Sequence, residues 1–384
     1  MKEADWLSAR EALDRLGVRP QTLYAYVSRG LVSAEADPAE PRRSRYKRSD
    51  IARLAKRKAR GRKAAAVAAD AIAWGEPVLD SAITSVSGGR LFYRGRDAAI
   101  LAETETFEAV ARLLRGGGGA PAPRVRRFQP PQGESVRLRL MTTLAARTAR
   151  DPPALGREGR DLADEAASLL DTVADAVCGH VGEGPIHRRL GWAWGCGAGG
   201  MDLIRRSLVL LADHELNAST FAARVAASTG ASLSACVLAG LATLTGPLHG
   251  GMAAEVDGLA AEARRVGPRE AMAARLIHWR PTPGFGHPLY PDGDPRARAL
   301  LRAFQAPADM QALREAVDAS TGQRDNIDFA LVALSRNLGL PPDAPFALFA
   351  VARSAGWLAH ALEQARDGAL IRPRARYVGP APEI

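Results

Sequence analysis

The sequence is poor in cysteine, in aromatic residues and in unbroken apolar runs. Three cysteines in 384 residues, Cys178, Cys196 and Cys236, are odd in number and widely spaced. That excludes a disulfide framework and a zinc-ligand pairing, and free buried thiols are the expectation. Aromatic residues make up 5% of the chain against 47% apolar residues overall, so the apolar content is mostly Ala and Leu, the composition that helices favour. No window of 18 consecutive apolar residues occurs, and the first residues contain no signal-like apolar segment. A cytoplasmic chain without membrane association is therefore expected. Strand patterns are scarce as well. Only "AITSVSGGRLFYRG" reads as a hairpin, with Gly88-Gly89 at its turn.

What is abundant is positive charge, and it is unevenly placed. The net charge is +10, yet residues 1–63 contain 17 Lys/Arg and 8 Asp/Glu, leaving 35 against 34 for the remainder. Within this basic end, "SARE" is a capping-box pattern at Ser8 and Glu11, and Ala9, Ala12, Leu13 and Leu16 follow at helical spacing to a stop at Gly17. A second short helix is expected in "RPQTLYAYVSRG", and a basic ribbon with Tyr46 follows a Pro-containing turn. Two short helices joined by a Gly-containing turn make a helix-turn-helix pattern. "KRKARGRK" reads as a solvated linker or helix tail, "AAAVAADAIAWGEP" as a connecting helix, and residues 115–133 as a Gly/Pro-rich loop.

The rest reads as helix after helix: "TFEAVARLL", "VRLRLMTTLAARTA", "GRDLADEAASLLDTVADAVCG", "MDLIRRSLVLLADHEL" and "TFAARVAASTG". Four places in this body carry chemistry-bearing residues. "LLADHELNAST" sets His214 and Asn217 at the end of an apolar helix. "TGPLHGGMAAEV" puts His249 just before an Ala-rich helix, whose N-terminal positive charge disfavours protonation of the ring; a neutral imidazole can donate to a developing oxyanion. "GQRDNIDFALVAL" embeds Asp328 among apolar residues, either as a helix cap or as a base made stronger by poor solvation. "APFALFAVARSAGWLAHALEQ" is apolar nearly all round, so Arg353 is a buried guanidinium in want of an anion. To these is added "TPGFGHPLYPDGDPRAR", where His287 lies nine residues before Arg296 in a Pro/Gly loop; taken alone, such a loop often carries a histidine for no chemical reason.

Taken together, "LLADHELNAST", "GPLHGG", "PGFGHPLYPDGDPRA", "NIDF", "ARSAGWLAHALEQ" and "IRPRARYVGP" resemble the citrate synthases, especially the bacterial citrate and 2-methylcitrate type, over about residues 78–380. Residues 5–58 resemble the small winged helix-turn-helix of MerR and excisionase proteins. The resemblance implies a mainly α, two-domain helical fold preceded by a small winged helix-turn-helix domain. Its divisions are residues 1–63 for the front module, 64–77 for a linker, 78–255 for the first part of a large domain, 256–352 for a small domain and 353–384 for the return to the large domain.

The resemblance also implies an acyltransferase that condenses acetyl-CoA or propionyl-CoA with oxaloacetate and needs no metal or cofactor beyond the CoA thioester substrate. Asp328 would take the proton, His249 would stabilise the enol or enolate, and His287 would polarise the ketone. His214, Asn217, Arg296 and Arg353 would contact the four-carbon acid, and Arg372 would reach it from the partner subunit of a homodimer. In the front module, Gln21, Thr22, Tyr24, Arg42, Arg43 and Arg45 would face DNA. The chain departs from the family's usual pattern at Met252 and Ala253 after "HGG", and at Pro288, Tyr290 and Pro291 after "GFGH", positions on the CoA side. The alternative is a DNA-binding transcription regulator whose enzyme-like body senses a metabolite.

Overall fold

The computed structural model describes residues 5–18, 23, 26–27, 31–37, 40, 44–53, 55, 79–117, 129–131, 135–278, 281–375 and 377–380. The chain forms two compact units, residues 1–80 and 81–384. In the first, strands β1 (Trp6–Ser8), β2 (Ala34–Ala36) and β3 (Ser44–Lys47) form an antiparallel sheet in the order β1-β3-β2, with Leu7 and Ala34 opposite Tyr46. Helix α1 (Ala9–Leu16) starts on the expected capping box: the Ser8 hydroxyl accepts from the Glu11 N–H, and the Ser8 N–H donates to the Glu11 carboxylate at 2.9 Å. Leu7, Ala12, Leu16, Leu23, Val32, Tyr46 and Ile51 close a separate small core. The second helix of the expected helix-turn-helix falls mostly outside the described residues, as does the proposed linker.

The second unit opens with the expected hairpin, β4 (Thr84–Ser87) and β5 (Arg90–Tyr93) turning at Gly88–Gly89, extended by β6 (Arg96–Asp97). Helices follow throughout: α2 (Ala98–Thr104), α3 (Phe107–Leu114), α4 (Val136–Thr148), α5 (Gly159–Cys178), α6 (Ile186–Ala193), α7 (Ala198–Leu211), α8 (Ala218–Ser228) and α9 (Leu233–Leu244). Then come α10 (Met252–Val266), α11 (Pro268–Ile277), α12 (Pro295–Leu301), α13 (Ala308–Thr321), α14 (Ile327–Leu338) and α15 (Ala344–Asp367). The all-round apolar sequence of α15 has its reason in position, because it packs against α3, α5, α7, α8, α9 and α14 and is buried over nearly its whole length.

Two apolar cores share this unit. The larger gathers α2 to α9, α12, α15 and one side of α14; the smaller gathers α10, α11, α13 and the other side of α14 through Phe329, Val332 and Ala333. Leu301 and Phe304 touch both. The segments carrying the chemistry-bearing residues lie where these two cores meet.

Candidate active site

The segments that carry His287 and Asp328 are joined by backbone stitching. The Asn326 N–H donates to Gly284 O at 2.9 Å, the Gly286 N–H to Arg324 O at 2.8 Å, and the Asn326 side-chain amide to Gly286 O at 3.1 Å. The rings of Phe285 and Phe329 meet beside this seam, tilted by 55° with centroids 5.0 Å apart. Gly284 has φ +83°, and a Cβ there would lie 2.7 Å from Val256 Cγ2, so both backbone conformation and space require glycine. The cap of α14 is Asn326, whose Oδ1 accepts the Asp328 N–H at 3.0 Å. Of the two roles open to Asp328 in the sequence, capping is thus taken by its neighbour. Burial raises its carboxyl to about 6, against the pull of Arg296 and Arg353 and with the push of Asp294.

Three histidines, all held neutral, share with Asp328 the influence of the guanidiniums of Arg296 and Arg353. His287 Nδ1 accepts the Leu289 N–H at 3.2 Å, which places the proton of the neutral ring on Nε2. Burial and then Arg296 lower His287 to about 4. Its ring meets the edge of His214 at 5.2 Å and lies against Tyr290 at 4.9 Å, while His214 Nε2 and the Tyr290 hydroxyl are 2.9 Å apart. His214 is pushed well below its ordinary value by burial, then by Arg296, Arg353 and the other two histidines.

His249 Nε2 lies 2.8 Å from the Ser219 hydroxyl, and its ring meets the edge of Phe349. It too is lowered to about 4, and the causes are burial followed by Arg353. The expected neutral ring is present, but desolvation and a guanidinium account for it in place of the helix terminus.

The arginines divide into a paired and an unpaired one. Arg296, 3% exposed, grips Asp294 through Nε at 3.0 Å and Nη2 at 2.7 Å. Asp294 also accepts the N–H groups of Arg296 and Ile327, tying α12 to α14. Arg353, 1% exposed, donates from Nε to Leu211 O at 3.0 Å and sits over Phe349, while its Nη2 has no hydrogen-bond partner among the described residues. Burial lowers it to about 10, with Asp213 opposing. A buried N–H of a guanidinium without an acceptor is costly unless an anion comes to it.

Asn217 caps α8, accepting from the Ser219 and Thr220 N–H groups and donating to His214 O, so it orders the loop behind the histidines. Arg372 is exposed in the segment after α15, and among the described residues it adds no hydrogen bond or ion pair to the pocket. In the first unit, Gln21, Thr22, Tyr24, Arg42 and Arg43 lie outside the described residues. Arg45 is engaged inside its own sheet, with Glu35 at 2.7 Å and the Trp6 ring beneath it.

Three residues at the site, Ser219, Tyr93 and Asp213, escape sequence reasoning, while Tyr290, singled out as a departure on the CoA side, lies against His214 and His287. The Tyr93 hydroxyl is buried at the end of α7, 3.1 Å from the carbonyls of Val209 and Leu210 and 3.3 Å from that of Asp213.

Residues 188–374 match the family "Citrate synthase, C-terminal domain". Citrate synthase of Haloferax volcanii is 40% identical over 185 residues, 45% of this chain and 49% of that protein. 2-Methylcitrate synthase 2 of Corynebacterium glutamicum is 36% identical over 189 residues, 45% of this chain and 48% of that protein. The chain thus spans about half the length of the curated relatives it matches. The crystal structure of citrate synthase from Thermotoga maritima superposes with a TM-score of 0.64 at 28% identity, covering 81% of this chain and 96% of that one. The stretch similar to the citrate synthases, residues 188–374, holds every described residue of the pocket except Tyr93.

Proposed function

We propose that the protein condenses a short acyl-CoA with oxaloacetate, forming citrate from acetyl-CoA or 2-methylcitrate from propionyl-CoA and releasing CoA after hydrolysis of the thioester intermediate. The observation that carries this reading is the convergence of a carboxylate, neutral histidines and a buried guanidinium with an unpartnered N–H. Asp328 removes a proton from the carbon next to the thioester carbonyl. Such a proton is weakly acidic, so the negative charge developing on the carbonyl oxygen needs a donor, which His249 supplies.

The Ser219 hydroxyl decides whether it can. Its single proton has two takers, Asn217 Oδ1 at 2.7 Å and His249 Nε2 at 2.8 Å, while Trp357 Nε1 donates to the same oxygen at 3.1 Å. When the proton goes to His249 Nε2, the ring's own proton is on Nδ1 and available to the enolate. His287 donates from Nε2 to the ketone oxygen of oxaloacetate, which becomes an alkoxide as the new carbon–carbon bond forms. Arg353 receives a carboxylate of the same acid on its free N–H, and Arg296 adds its positive charge from beside Asp294.

The same reading takes residues 256–352 as a small domain closing over residues 78–255, with 353–384 returning; the separate core around α10, α11 and α13 supports it. It also takes the active form as a homodimer in which Arg372 of a second copy completes the site. The test is release of free thiol from acetyl-CoA and propionyl-CoA, dependent on oxaloacetate. Folded protein that releases thiol from neither would refute the reading.

A second reading concerns residues 1–63, whose separate core and +9 charge support DNA binding, with the body then acting as a sensor of oxaloacetate, citrate or acyl-CoA. Selection of genomic fragments by the full chain tests it, with salt-sensitive, sequence-selective retention expected. Recovery of fragments without any common site would remove its support.

A further inference from the structure

Behind the pocket runs a line of buried polar groups that the proposed chemistry leaves unused. Arg224, 1% exposed, donates from Nη1 to Glu363 at 2.8 Å and from Nε to Gln364 Oε1 at 2.9 Å. The same Nη1 approaches His360 Nδ1 at 3.4 Å. A guanidinium only donates, so Nδ1 accepts and the neutral ring carries its proton on Nε2. That N–H faces Asp213 Oδ2 at 3.3 Å. His360 is 1% and Asp213 0% exposed.

The segment carrying Asp213 is fixed by Arg353 Nε on Leu211 O, by the Gly356 N–H on Ala212 O at 3.0 Å, and by the Tyr93 hydroxyl, whose oxygen accepts the Asp213 N–H at 3.4 Å and whose one proton Asp213 O shares with the nearer carbonyls of Val209 and Leu210. The carboxylate lies so close to α15 that a Cβ at Gly356 would be 2.2 Å from its Oδ1. Among the described residues, two buried atoms here lack hydrogen-bond partners, Asp213 Oδ1 and Arg353 Nη2. They carry opposite charges and attract one another, yet no ion pair forms between them. The Thr84 hydroxyl, also near Asp213, helps to hold its carboxylate ionised.

We infer that Asp213 is a counter-ion held away from Arg353 by His360, so that Arg353 stays charged but open to a substrate carboxylate. Arg224, His360 and Asp213 are then positioning residues, and the inference rests on the condensing-enzyme reading only for the identity of that carboxylate. After His360, the cation that acts most strongly on Asp213 is Arg353 itself. The carboxylate would take the place meant for substrate.

Oxaloacetate binding to the full chain by calorimetry tests this, alongside crystal structures of the variants. His360→Leu is expected to bind oxaloacetate about tenfold or more weakly, with a direct Asp213–Arg353 ion pair in its structure. Adding Asp213→Asn to His360→Leu removes the competing charge, and affinity is expected to return to within about threefold of wild type. His360→Gln retains a donor towards Asp213 and is expected to bind within the same range. A purely structural role for His360 would not be relieved by a second buried substitution. Equal affinity in His360→Leu, or a double variant as weak as the single one, overturns the inference. Should His360→Leu fail to fold, the double variant and His360→Gln still decide, since neither leaves a bare buried carboxylate. If wild type binds no oxaloacetate, the functional reading falls, and the presence or absence of the ion pair in the His360→Leu structure still settles the role of His360.

Discussion

Asp328→Asn should make the protein more stable while abolishing turnover, and the gain should vanish in acid. Asp328 stands in α14 with its capping position taken by Asn326 and its carboxyl raised from 3.8 to about 6 by burial. A carboxyl raised by about two units destabilises the folded state by about 3 kcal/mol once ionised, and by about 2 kcal/mol allowing for the part of the side chain that remains accessible. The sign follows from proton counting. Between pH 3.8 and about 6 the folded state binds more protons than the unfolded one, so stability falls as pH rises through that window. The deficit is fully present above it and absent below it. Asparagine carries no charge to desolvate, and the same accessibility lets its amide keep water. Melting of wild type and variant across pH 3.5–8 should therefore show a difference near zero in acid, growing to about 5 °C at neutral pH and above. A difference independent of pH, or a variant less stable than wild type at pH 8, would refute the assignment of Asp328 as a carboxylate kept strained for catalysis.

The same group should set the acid limb of activity: kcat/KM should fall about tenfold per pH unit below about 6, because His249 and His287, held near 4, remain neutral there. A limb moved to higher pH by organic co-solvent identifies a carboxyl, whereas a limb that does not move would point to an imidazole. Ser219→Ala should lower kcat by about tenfold or more with little change in KM for oxaloacetate, since α8 keeps its Asn217 cap while His249 loses its orienting partner; an unchanged kcat would dismiss the hydroxyl. Arg353→Lys keeps the charge but loses the planar fork, and KM for oxaloacetate should rise by about 100-fold; a rise below about threefold would remove Arg353 from the carboxylate site.

Local patterns announced most of the architecture. The apolar spacing of Phe107–Leu114 and Gly159–Cys178, the capping box at Ser8 and the Gly88–Gly89 hairpin each depend on residues a few positions apart, and each stands in the structure. The unbroken apolar character of residues 344–364 similarly required a helix surrounded on all sides. Where sequence reasoning left alternatives open, the deciding partner was distant or ambiguous. Asp328 read equally as cap or base because Asn326, two residues earlier, could cap only if Gly284 and Gly286 fixed its backbone from forty positions away.

The same limit explains the residues that were missed. "NAST" identifies a helix start, and nothing within it indicates that Ser219 faces a histidine thirty residues on and a tryptophan on α15. Asp213 is followed at once by His214, so the pair reads as one polar loop, yet the two side chains serve opposite directions, one towards Tyr290 in the pocket and the other towards His360 behind it. Side-chain direction at the end of α7 is set by which carbonyls Tyr93, Arg353 and Gly356 hold, all of them contributed by other elements. The chemical identity of a site can thus be written in short motifs, while the balance of charge that keeps Arg353 open depends on contacts that no motif contains.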